Sequence, residues 1–106
     1  MPKYLFQTSY TADGVKGLLT KGGSARRAAA EASAQSVGGT LESFYFAFGG
    51  TDVFAVADLP SNAAAAALAL TLSGSGAVTA NTVVLLTPED IDAAAEIAVQ
   101  YTPPGQ

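Results

Sequence analysis

The sequence predicts one α+β domain, a four-stranded antiparallel sheet with helices on one face and an extra helix at the C-terminus. Strand-length segments rich in aromatic and β-branched residues alternate with alanine-rich segments of helix length. Glycine pairs and prolines punctuate the boundaries between them. The resulting order is strand, helix, strand, strand, helix, strand and a final helix, the split β-α-β order of ferredoxin-like βαββαβ domains. The expected sheet order is 4-1-3-2. A chain of 106 residues suits a single domain, expected over residues 1–101 with a frayed tail at 102–106.

Each element has a local reason. Residues 3–10, KYLFQTSY, form the first strand, with Tyr4, Phe6, Thr8 and Tyr10 on one face and Leu5, Gln7 and Ser9 on the other. A short helix follows over 13–20, capped by Thr11 or Asp13 and broken at KGGS. Ser24 is expected to cap a second helix, ARRAAAEASAQSV, which stops at Gly38-Gly39. Arg27 and Glu31 stand four apart on its wet face, the spacing of a helical ion pair.

Residues 40–48, TLESFYFAF, and 52–59, DVFAVADL, read as a hairpin around a short turn at Gly49-Gly50 or Gly50-Thr51. Either register sets Phe44, Phe46 and Phe48 on the face of Val53, Ala55, Ala57 and Leu59. Leu41, Ser43, Tyr45 and Ala47 then share the other face with Phe54, Val56 and Asp58. Pro60 ends the third strand, and Ser61 opens an alanine-rich helix that runs to Leu72. The fourth strand is AVTANTVVLL. Thr87, Pro88 and Asp90 are arranged as a capping box with proline in the first helical turn. The acids Glu89, Asp90 and Asp92 suit that helix dipole, and capping accounts for them better than metal binding.

Composition removes several chemistries. The chain has no cysteine and no histidine, which excludes disulfides, thiol nucleophiles, zinc-finger ligand sets, Ser-His-Asp triads and histidine-held haem. Composition leaves a carboxylate-only site for magnesium or calcium open in principle, but no cofactor and no metal is expected. A net charge of −4 with five basic residues provides no face for nucleic acid. The longest apolar run, AAAAALALTL, is too short to span a bilayer, and MPKYLFQTSY lacks the apolar core of a signal peptide. A cytoplasmic protein is expected. GGSARR lacks the lysine and glycine spacing of a phosphate loop, and the GSG at 74–76 follows a helix instead of opening one.

The segment GGTLESFYFAFGGTDVFAVADLP, followed by an alanine-rich helix, resembles the GYD family of the dimeric α/β-barrel superfamily. The family's central motif is glycine, any residue, tyrosine, aspartate. Gly49, Gly50 and Asp52 match it, and Thr51 stands in place of the tyrosine. The Gly38-Gly39 pair, the early Asp13-Gly14 and the proline that ends the third strand also fit. The resemblance covers roughly residues 3–95 and implies a fold, not a particular reaction.

Alanine-rich helices have little side-chain depth and lie close to a sheet of large residues, which places the phenylalanines beneath them. The opposite face still carries Tyr45, Phe54 and Val56, an apolar patch that a second copy of the chain covers most simply, giving a homodimer or larger homo-oligomer. The alternative cover is the last helix, through Ile91, Ile97 and Tyr101. The function expected first is a non-catalytic binding or assembly module for a small metabolite. Its candidate ligand-binding residues are Tyr10, Tyr45, Thr51 and Arg26. The alternative is a small cofactor-independent oxygenase or isomerase, classes known in the wider superfamily. Asp52 would then be its catalytic base and Tyr45 or Tyr10 a hydrogen-bond donor. For Asp52 the competing role is a turn residue whose carboxylate accepts backbone N–H groups.

Overall fold

In the computed structural model, which describes residues 1–47 and 49–106, the elements follow one another as expected. They are β1 (Lys3–Tyr10), α1 (Ala12–Lys21), α2 (Gly23–Ser36), β2 (Thr40–Phe46), β3 (Val53–Asp58), α3 (Asn62–Gly74), β4 (Val78–Leu85) and α4 (Pro88–Ala95). The strands form one antiparallel sheet in the order β2-β3-β1-β4, the expected order seen from its other edge. The fold is thus α+β and ferredoxin-like. No helix of the described residues is long and apolar enough to cross a membrane.

Local chemistry explains the boundaries. Thr11 caps α1 by accepting from the Gly14 N–H, and Ser61 caps α3 by accepting from the Ala64 N–H. The end of α2 is closed by two reversed bonds, Gly38 N–H to the Gln35 carbonyl at 3.0 Å and Gly39 N–H to the Ala34 carbonyl at 2.9 Å. Gly38 sits at φ +87°, where a side chain is strained. At α4, Thr87 accepts from the Asp90 N–H while the Asp90 carboxylate accepts from the Thr87 N–H, the complete capping box. The start of α2 differs from the expectation: Gly22 takes the N-cap position with no side-chain cap bond, and Ser24 lies inside the helix. Gly22 also ends α1, so a single residue at φ +87° turns the chain from one helix into the next.

The core lies between the sheet and the helix layer. Tyr4, Phe6, Val53, Ala55, Ala57 and Leu59 are buried there, with Ala34 of α2 and Ala65 of α3 pressed against them. The alanines let both helices sit low on the aromatic sheet. Tyr4 is fully buried and donates its hydroxyl hydrogen to Asn62 Oδ1 at 2.6 Å, which satisfies the polar tip of a core ring.

The hairpin keeps the expected register but not the expected turn. Phe44 pairs with Ala55 and Phe46 with Val53, as around a Gly49-Gly50 centre. The strands nevertheless stop at Phe46 and Val53, so the connection over 47–52 is longer than a two-residue turn. Gly49 takes positive φ, +115°. Phe48, expected beneath the helices, lies outside the described residues. A register shift between Leu41 and Ser43 moves Leu41 opposite Ala57 and into contact with the core. The expectation that Leu41 faces away from the helices is therefore corrected, because one extra residue in a strand inverts every side chain beyond it.

The opposite face of the sheet has no helix over it. Tyr45, Phe54 and Val83 are exposed there, beside half-buried Leu5 and Val56. The final helix does not cover this face: every residue from Leu86 to Gln106 is exposed, Ile91, Ile97 and Tyr101 among them. The domain is correspondingly long, 57 Å by 33 Å by 22 Å.

Candidate functional site

A cavity of about 80 Å³ lies between the sheet and the pair α2 and α3. Its floor is Phe6, Val53 and Ala55, and Leu41 and Phe44 close the β2 side. Leu68 and Leu72, one turn apart on α3, form a second wall. The α2 wall is a single helical stripe, Arg26, Ala30, Ser33 and Ala34. Thr8, Tyr10, Ser33 and Arg26 are its polar members, and no carboxylate lines it among the described residues.

Arg26 is the unusual member. Its Nε is out of contact with solvent and has no hydrogen-bond partner among the described residues. The adjacent Arg27 takes the expected course: it points to the wet side of α2 and meets Glu31 at 3.3 Å. The two arginines differ because consecutive helical residues are about 100° apart around the axis, so one stripe faces the sheet while the next faces water.

Asp52 is held by backbone. Its Oδ2 accepts the Tyr10 N–H at 2.8 Å, its own N–H donates to the Thr8 carbonyl at 2.9 Å, and its carbonyl accepts the Ala47 N–H at 2.7 Å. The β1–β3 ladder ends at the pair Thr8 and Val53, so the Tyr10 N–H has no strand partner on that side. The Asp52 carboxylate takes that place and extends the ladder by one bond.

Of the five residues selected from the sequence, the fold brings Tyr10 and Arg26 to the cavity and ties Asp52 to the backbone of Tyr10. Tyr45 is on the helix-free face, 70% exposed, and is separated from the cavity by the sheet. Thr51 is in the loop before β3, half-buried and outside the cavity lining. Sequence reasoning passed over Ser33, Leu41, Phe44, Leu68 and Leu72. The spacing of Arg26, Ala30 and Ser33 and of Leu68 and Leu72 was a usable signal, whereas Leu41 depends on the strand irregularity.

One charged cluster lies elsewhere. The Lys3 ammonium donates to Glu42 and to Asp58, each at 2.9 Å, at the β1–β3–β2 end of the open face. Hydrogen bonding to Glu42, and next to Asp58, raises the Lys3 pKa above the ordinary lysine value. No group of three or more His, Cys, Asp or Glu that could hold a metal occurs among the described residues. An open groove between α3 and edge strand β4, lined by Ala66, Ala69, Leu70 and Val84, is almost wholly apolar and has no cation.

No curated protein and no solved structure matches the chain. The model of the GYD domain family matches residues 4–95, from the first core strand to the end of α4 and across both cavity-forming helices. The chain therefore belongs to the GYD domain family.

Proposed function

We propose that this domain is a binding module that takes a small, largely apolar molecule into the cavity beneath α2 and α3, and that it works as a homodimer. The observation that supports binding is the cavity itself: apolar walls from two helices and the sheet surround a few polar groups, the usual composition of a small-molecule site. A thermal-shift screen of a metabolite library tests it. At least one compound should raise the melting temperature, and that shift should shrink in a Leu72→Trp variant that fills the cavity. A library without a stabilising compound overturns the reading.

The oxygenase or isomerase reading draws less support. It needs a desolvated base in the cleft, and Asp52 is not among the residues lining the cavity, its carboxylate being engaged by the Tyr10 N–H.

The dimer is proposed through the helix-free faces. Tyr45, Phe54, Val56, Val83 and Leu5 form an apolar patch that this chain's own C-terminal helix leaves open. A two-fold contact sets the same patch against itself, and at roughly 25 cal/mol per Å² several hundred Å² of such surface drives association against its entropy cost. Size-exclusion chromatography with light scattering should give twice the chain mass at micromolar concentration. Phe54→Glu should return it to one chain mass by burying an unpaired carboxylate. A monomer mass for the unmodified chain rejects the dimer. A cytoplasmic location belongs to the same reading, and cell fractionation tests it.

A further inference from the structure

We infer that the cavity selects an anion, specifically a small carboxylic acid with an apolar body, and that Arg26 is the residue that recognises its carboxylate. The inference rests on the cavity being a binding site, as proposed above, and adds to it the class of ligand.

Three observations carry it. Arg26 presents a guanidinium Nε that is removed from water and has no hydrogen-bond partner among the described residues. An N–H of a charged group left in that condition is costly unless something answers it, although Arg26 as a whole is only half-buried. Second, the cavity contains nothing of opposite sign: no Asp or Glu lines it among the described residues, while Arg27 already has Glu31. The protein thus supplies a cation without its counter-charge on the cavity side of α2. Third, the other lining residues limit what the counter-charge is attached to. Phe6, Leu41, Phe44, Leu68 and Leu72 make the interior apolar.

Size and donors narrow the class further. A volume of about 80 Å³ corresponds to several water-sized positions, each taking roughly 10–15 Å³ on this measure. That suits a short aliphatic or single-ring acid and is too small for a nucleotide. A phosphate group would demand more donors than one arginine with the hydroxyls of Thr8, Tyr10 and Ser33. A carboxylate matches the planar guanidinium, whose N–H donors form a fixed fork. Those hydroxyls then remain to orient the ligand. Tyr10 has a further significance: its backbone N–H is fixed by Asp52, so the glycine loop holds one wall of the cavity in place.

Matched acids and amides test this on the intact chain. Benzoate and hexanoate are titrated beside benzamide and hexanamide, pairs that share a body and differ in charge. Binding is followed by amide NMR shifts of Ala30 and Leu72 at neutral pH. Each acid should bind about tenfold or more tightly than its amide, as expected for a hydrogen-bonded charge pair. Arg26→Gln should abolish that preference, the acids losing far more affinity than the amides. Arg26→Lys should keep only part of it, since charge survives and the planar fork does not. The acid-to-amide ratio in the unmodified chain needs no variant, so a variant that folds poorly does not remove the test. Equal binding of acid and amide overturns the carboxylate inference and leaves the apolar site standing. Absence of binding by all four probes overturns the site and the inference together. Inorganic phosphate competing as well as benzoate also refutes it, because the apolar body would then contribute nothing.

Discussion

Replacing Asp52 by alanine removes the acceptor of the Tyr10 N–H, and the consequence can be worked out from the ladder. Beyond the Thr8–Val53 pair no β3 residue is left to accept from Tyr10, and the Asp52 carboxylate does so at 2.8 Å in a half-buried setting. A hydrogen bond to an ionised group contributes about 1.5–3 kcal/mol to stability, with partial water access favouring the lower end. Asp52→Ala should therefore cost about 1–2 kcal/mol, or a fall of roughly 5–10 °C in melting temperature for a domain of this size. Asp52→Asn keeps a carbonyl oxygen in the same place and should lose less than about 1 kcal/mol. Thermal unfolding followed by circular dichroism gives the global number. Hydrogen exchange of the Tyr10 amide gives the local one: protection should be lost in the alanine variant and kept in the asparagine variant. If Asp52→Ala melts with the unmodified protein and the Tyr10 amide exchanges at the same rate, the bond carries no stability and the carboxylate is free for another role.

Three other outcomes are expected. Gly39→Ala should destabilise by about 1–3 kcal/mol, because its Cβ would collide with the Asp58 carbonyl oxygen and the Leu59 side chain where nothing can yield without moving the core; an unchanged denaturant midpoint would show that β2 shifts freely. Ending the chain after Leu86 should leave the melting temperature within a few degrees, since every residue beyond it is exposed; a larger drop would mean that α4 is anchored elsewhere, on a second copy for example. The stabilisation Lys3 gains from Glu42 and Asp58 belongs to its charged form. Because the folded pKa is raised, that contribution is complete below the ordinary lysine value and fades as pH climbs through the raised one. The stability difference between the unmodified chain and Lys3→Met should shrink over that alkaline range, and a difference independent of pH would assign it to packing of the lysine stem.

Much of this domain was legible in the order of residues because the controlling forces are local. Caps at Thr11, Ser61 and Thr87, the glycine stop at Gly38 and the proline at Pro60 all act within a few residues of where they stand. The two-residue alternation of β1 likewise placed Tyr4, Phe6 and Thr8 on the buried face. What tertiary structure decided depends on distant partners. Leu41 reaches the core only because β2 shifts register against Ala57, sixteen positions along the chain, and nothing in TLESF announces the shift. Asp52 is turned toward Tyr10 because β1 outruns β3 by two residues, a mismatch visible only when the strands are paired. Whether Ile91, Ile97 and Tyr101 fold back over the sheet was open from hydrophobicity alone, and the path of the chain after Leu85 leaves them exposed. Arg26 and Arg27 are chemically identical neighbours. Helical rotation separates them, but only the seating of α2 on Phe6 and Phe44 turns Arg26 toward an apolar cavity and leaves Arg27 to Glu31 in water.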